Sequence, residues 1–163
     1  MTAGVPPTAG ADGTARPAVG VAPAGSARAE MTTTWVGAAA RVELVVTDAD
    51  TAQTLGSGDV PVLGTPRVLA LAEAATVAAT TTRLPPGTTT VGTRVELEHK
   101  AATAVGRKVV AEARLSKADG KRLTFEVVVR EPGAGGGTVV AEGRVERVLV
   151  DRHRFVASAF GPS

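Results

Sequence analysis

TPRVLALAEAATVAATTT, residues Thr65–Thr82, is the stretch that decides the fold. Val, Leu and Ala fill nearly every position from Val68 to Ala79, and Glu73 is the lone charge among them. Thr65 followed by Pro66 is a helix-start signal, an N-cap threonine with proline at the first helical position. Leu84-Pro85-Pro86-Gly87 stops the helix. A helix apolar around its whole circumference must bury most of its sides. The spacing therefore predicts one helix running through the middle of a domain.

Strand patterns surround it. Arg41–Thr47 (RVELVVT) alternates as a strand does, and Asp48–Gly64, rich in Gly, Asp and Pro, reads as a loop. Four more strands follow the helix, over Thr89–Lys100, Arg107–Ser116, Lys121–Arg130 and Thr138–Asp151. Asp119-Gly120 marks a hairpin turn, and a glycine-rich loop at Gly133–Gly137 precedes the last strand. An alternating βαβ fold needs several helices, and a strand sandwich needs none. The order predicts an α+β hotdog fold, an antiparallel sheet wrapped around one long central helix.

The 163 residues suffice for one domain and a tail. Ala, Gly and Pro dominate residues 1–35, where large apolar residues are almost absent, so this extension is expected to be disordered. The domain is expected to span 36–157, with 158–163 a tail. No cysteine is present and only two histidines, which excludes disulfides, thiolate chemistry and a histidine-rich metal site. A net charge of +2 and four aromatic residues argue against nucleic acid as a partner. No apolar run reaches the ~18 residues of a membrane span, and no secretory leader pattern opens the chain, so a cytoplasmic location is expected. The excess of Arg over Lys and the Ala-rich composition suggest a bacterial source.

Alternation sorts the strands into two faces. On one face of Val91–Lys100 lie Val91, Thr93, Val95, Leu97 and His99; Gly92, Arg94, Glu96 and Glu98 lie on the other. On the last strand Val139, Ala141, Gly143, Val145, Arg147 and Leu149 share a face. Three ionisable groups thus point inward: Glu73, His99 and Arg147. Burying them is costly unless they are paired. His99 and Arg147, each taken alone, read as structural partners, and Thr65 alone reads as an N-cap. Glu73 has no local structural task. Together the groups supply a base or nucleophile, a proton carrier and, at the helix start, backbone N–H donors for an oxyanion. Those are the parts that acyl transfer from a thioester needs.

Gly64-Thr65-Pro66 through Glu73, followed by Val91-Gly92-Thr93 through His99, resembles the fluoroacetyl-CoA thioesterase-like family of hotdog enzymes. The resemblance runs from about Gly58 to Phe155. It rests on joint spacing: Glu73 eight residues after Thr65, His99 twenty-six after Glu73, Gly92 seven before His99. It implies catalytic roles for Thr65, Glu73 and His99, a place for Gly92 beside the thioester, and a match for the family's last-strand arginine at Arg147. Gly64, Gly92 and Arg147 are the expected substrate-binding residues. The implied reaction is hydrolysis of an acyl-CoA to a carboxylic acid and free CoA, with no metal and no cofactor beyond the CoA of the substrate. In the fluoroacetyl-specific enzyme phenylalanines upstream of the helix cover the acyl pocket. The matching stretch here, Asp50–Leu63, has no aromatic residue, so the acyl group is left open.

Eight residues of helix separate Thr65 from Glu73 by about 12 Å along the axis, too far for both to reach one carbonyl. Hotdog enzymes usually pair two subunits around the ligand, so the resemblance implies a homodimer, or a higher assembly built from it, whose site takes the helix start from one chain and Glu73 from the other. In the leading chemistry Glu73 activates water or attacks the carbonyl itself. Attack by Thr65 activated by His99 is the second variant. The alternative function is a non-catalytic hotdog protein that binds an acyl chain or acyl-CoA. A hydratase on the same fold is disfavoured, because no His/Asp pairing is evident.

Overall fold

The computed structural model describes residues 24–161. In chain order they form α1 (Ala24–Thr33), β1 (Ala39–Val45), α2 (Ala52–Leu55), α3 (Thr65–Thr80), β2 (Thr88–His99), β3 (Lys108–Asp119), β4 (Arg122–Glu131), β5 (Thr138–Asp151) and α4 (Arg152–Phe160). The five strands make one antiparallel sheet in the order β1-β3-β4-β5-β2, curved over α3. This is the expected α+β hotdog arrangement.

The buried side of α3 carries Val68, Leu71, Ala72, Ala75, Thr76, Ala79 and Thr80. It packs on Val109, Ala111, Ala113, Leu115, Leu123, Phe125 and Val127 from β3 and β4, all nearly or wholly excluded from solvent. Alanines on the helix let the sheet approach closely, and Phe125 fills the remaining space. The opposite side of α3 is not covered by the described residues. Pro66, Ala70, Ala74, Val77 and Ala78 form an exposed stripe at helical spacing. The sequence predicts cover on most sides; the described residues provide it on one.

The boundaries of the domain differ from those read in the sequence. Ala24–Thr33, placed in the disordered extension, is a helix. Thr32 is fully buried and donates its hydroxyl to Gly120 O at 2.7 Å, so α1 is fastened to the β3–β4 turn. Met31 packs against the core, and Trp35 belongs to it at 6% exposure. Averaged composition hid these few anchoring residues. The expected tail boundary at 158 likewise falls inside α4, whose N-cap Asp151 accepts from Arg154 N–H at 2.9 Å. The rest of the extension, residues 1–23, lies outside the described residues.

Replacing Trp35 by Ala should cost about 3–5 kcal/mol of stability, as loss of a large buried aromatic does. Urea unfolding followed by circular dichroism is the right measurement, since Trp35 is the only tryptophan.

Candidate active site

Two polar clusters sit on α3, one at its start and one at its middle. At the start, the N-cap is Gly64, with backbone angles of φ −80° and ψ 145°, and Thr65 is already helical. The sequence placed Thr65 one position earlier, at the cap. The shift matters chemically. The Thr65 hydroxyl is not used to cap the helix and lies 2.8 Å from His99 Nδ1. Arg67 and Val68 N–H both turn back to Gly64 O, and Pro66 has no N–H. Thr65 N–H is therefore the donor that the first turn has left for an outside acceptor. Gly64, an expected substrate-binding residue, is buried. Its N–H is taken by Asp50 O at 2.9 Å, and a Cβ there would stand 3.1 Å from the Ala52 backbone.

Asp50 holds this helix start in place. Its Oδ2 accepts from Thr47 N–H at 2.8 Å and from the Thr47 hydroxyl at 2.9 Å, and its Oδ1 accepts from Arg67 Nε at 2.8 Å. Burial opposes ionisation of Asp50, but the Thr47 hydrogen bonds and the Arg67 guanidinium outweigh it and hold the carboxyl below its usual range. Loop composition alone gave no reason to single out Asp50.

At the middle of α3, Glu73 is half-buried and receives Arg147 Nη1 on Oε2 at 2.9 Å. Arg147 is only 6% exposed. Its Nε donates to Thr90 Oγ1 and its Nη2 to Thr90 O, both at 2.9 Å. Burial pulls the guanidinium down from its ordinary value while Glu73 pulls it back up. Arginine starts so high that it remains charged.

Gly92 completes this cluster. A Cβ at Gly92 would come within 2.4 Å of Glu73 Oε2 and 3.5 Å of Arg147 Nη1, so the carboxylate occupies the space a side chain would fill. Strict alternation had put Gly92 on the outer face with Arg94. A bulge between Gly92 and Arg94 reverses the faces there: Gly92 pairs with Arg147, and Arg94 with the next residue back, Glu146. Thr90 and Gly92 thus face Glu73, while Val95, Leu97 and His99 keep the inward side beyond the bulge. Thr90 was missed in the sequence for the same reason.

The structure brings Thr65 to His99 and Glu73 to Arg147 and Gly92, as two separate groupings along one helix. Among the described residues, no cluster of three His, Asp or Glu side chains is placed to hold a metal ion, and no helix is long and apolar enough to cross a membrane.

Residues 46–153 match the family described as fluoroacetyl-CoA-specific thioesterase. Solved structures share the fold. The chain superposes on the fluoroacetyl-CoA thioesterase FlK with a TM-score of 0.70 at 27% identity, over 78% of this chain and 96% of that one. A thioesterase-superfamily protein of Thermus thermophilus gives a TM-score of 0.68 at 28% identity, over 77% and 89%. A hotdog-like protein of Thermanaerovibrio acidaminovorans gives 0.67 at 26%, over 78% and 94%. No curated protein sequence matches the chain.

The depressed carboxyl of Asp50 sets a pH dependence of stability. Its contribution is complete above the ordinary Asp value near 4 and is lost as pH falls through the lower folded value. Asp50→Asn should therefore destabilise the protein at pH 7. It should also reduce the stability lost on acidification below about pH 4, read by urea unfolding at stepped pH. A second expectation concerns Gly92→Ala. Only the end of the Glu73 side chain and the Arg147 guanidinium must move, so the fold should persist while a crystal structure shows the carboxylate displaced.

Proposed function

The chain belongs to the fluoroacetyl-CoA-specific thioesterase family and is a thioester hydrolase, and we propose that it hydrolyses an acyl-CoA at a site shared between two copies of itself. The observation that carries this reading is the separation of the two polar groupings. Thr65 with His99 and Glu73 with Arg147 lie about 12 Å apart along one rigid helix. A two-fold assembly that sets two α3 helices side by side in opposite directions places the start of one beside the middle of the other. Two further features support such an assembly. Among the described residues, the apolar stripe on α3 lacks cover, and β2 is an edge strand of 12 residues without proline. Long unpaired edges are otherwise protected in natural proteins.

In the proposed reaction the thioester carbonyl oxygen rests against Thr65 N–H at the positive end of the helix. The Glu73 oxygen not held by Arg147 takes a proton from water, and the resulting hydroxide adds to the carbonyl carbon. The oxyanion then collapses, the C–S bond breaks, and CoA leaves as a thiolate, a good leaving group that needs little acid assistance. Direct attack by Glu73, giving an anhydride that water then opens, uses the same geometry. His99 orients the Thr65 hydroxyl toward the reacting group. CoA enters only as part of the substrate, and side chains, the Thr65 backbone N–H and water perform every step.

The absence of aromatics from Asp50–Leu63, together with the small Ala70 and Ala74 on the open side of α3, favours acyl groups larger than fluoroacetyl. Assay of acetyl-, propionyl-, phenylacetyl- and fluoroacetyl-CoA should give CoA release with at least one of them. Glu73→Gln should reduce kcat about 10²–10⁴-fold while leaving binding largely intact. Turnover that survives this substitution, or a wild type inert on the whole panel, would overturn the reading.

A further inference from the structure

Arg147 makes a single hydrogen bond to Glu73, from Nη1 to Oε2 at 2.9 Å. A guanidinium beside a carboxylate frequently presents two parallel N–H groups, one to each oxygen. Here that arrangement is blocked. Nε and Nη2 of the same guanidinium are both taken by one residue, Thr90, through its hydroxyl and its carbonyl oxygen, each at 2.9 Å. Glu73 Oε1 is left without a hydrogen-bond partner among the described residues.

The local structure suits Thr90 to this grip. It ends the run Thr88-Thr89-Thr90 and is the buried member of it. In β2 it pairs with Leu149 of β5, two positions before Gly92 pairs with Arg147. Residues two apart on a strand share a face, so Thr90 and Gly92 meet the guanidinium and the carboxylate together. A β-branched side chain has few χ1 rotamers, which keeps Oγ1 in place. The carbonyl alone would hold Nη2 and leave Nε–H a buried donor in need of an acceptor. The Glu73 carboxylate is the acceptor at hand.

We propose that Thr90 is a positioning residue that keeps one oxygen of Glu73 free for the reaction, by occupying the Nε–Nη2 edge of Arg147 and limiting the guanidinium to one hydrogen bond with the carboxylate. This deepens the thioesterase reading and rests on it for its catalytic meaning. An Oε1 bonded to a second guanidinium N–H is a weaker acceptor for a proton of water and a weaker nucleophile, because its lone pairs and charge are already engaged. One bond from Arg147 orients the carboxylate; a second would also quench it.

Thr90→Val keeps the branched shape and removes the hydroxyl acceptor. Nε–H loses its partner, and the guanidinium turns to bond both Glu73 oxygens. In folded Thr90→Val, kcat for the best acyl-CoA of the panel should fall about tenfold or more while KM stays within about twofold. Thr90→Ser, which retains the acceptor, should return kcat to near the wild-type value. A merely structural threonine would give a less stable protein with unchanged kcat per folded molecule, and that result would overturn the proposal. A second readout needs no substrate. Crystal structures should show one Arg147–Glu73 hydrogen bond in the wild type and two in Thr90→Val. An Arg147 still bonded to Oε2 alone in the variant would contradict the proposal as firmly. Those structures are read without turnover, so they decide what Thr90 does to Arg147 even where the wild type is inert on the panel, the outcome that removes the enzymatic reading instead. Should Thr90→Val fail to fold, Thr90→Ala removes the same acceptor with a smaller side chain and is read in the same way.

Discussion

A guanidinium and a carboxylate, Arg147 and Glu73, are held together under a sheet whose inner face is otherwise almost wholly apolar. Much of the local backbone serves that pair. The bulge in β2 turns Thr90 and Gly92 toward it, Thr90 satisfies two of the three Arg147 nitrogens, and Gly92 leaves room for the carboxylate. An ion pair removed from water seldom stabilises a fold more than apolar residues of the same volume would. It is the pair on which the proposed reaction rests. Arg147 fixes one oxygen of Glu73, while the Glu73 side chain keeps 32% of its exposure, on the side of α3 that the described residues leave open.

The helix that carries this carboxylate also carries Thr65, and its rigidity keeps them apart. A single chain therefore carries two separate polar groupings, each with its own supports. Asp50, Thr47 and Arg67 secure the helix start, and Thr90 and Arg147 secure the middle. The proposed two-fold assembly turns this separation into proximity without bending anything. It also gives a purpose to the apolar stripe of α3 and the free edge of β2. The outer face of the sheet is built differently. Exposed pairs such as Arg41–Glu112 at 2.8 Å and Lys108–Glu43 at 2.9 Å line it and contribute little to stability.

Much of this was legible in the sequence. The apolar run of α3 and the period-two strands place the elements to within a few residues, because burial on one side of a sheet imposes alternation. Glu73, His99 and Arg147 stand out as charges on apolar faces. Three kinds of information were not local. The bulge at Gly92/Arg94 inverts the faces of β2 and leaves no mark on the alternation of polar and apolar residues. The helix cap lies one residue before the threonine that resembles a cap, because the Thr65 hydroxyl has a tertiary partner in His99. Asp50 and Thr90 matter through contacts with distant residues, Arg67 and Arg147, and their own neighbourhoods are unremarkable loop or strand. Helix α1 was obscured by the Ala- and Gly-rich stretch around it, although Thr32 and Trp35 fasten that end of the chain to the core.

The central claim is that one working site draws on two chains. Mixing two inactive variants tests it most directly. Thr65→Val and Glu73→Gln proteins, unfolded together and refolded as an equal mixture, yield half mixed dimers, each with one intact site and one doubly altered. The account predicts recovery of about a quarter of the wild-type activity from two preparations that are each inactive. No recovery in mixtures shown to contain mixed dimers would contradict it and place Thr65 and Glu73 in the service of one and the same chain.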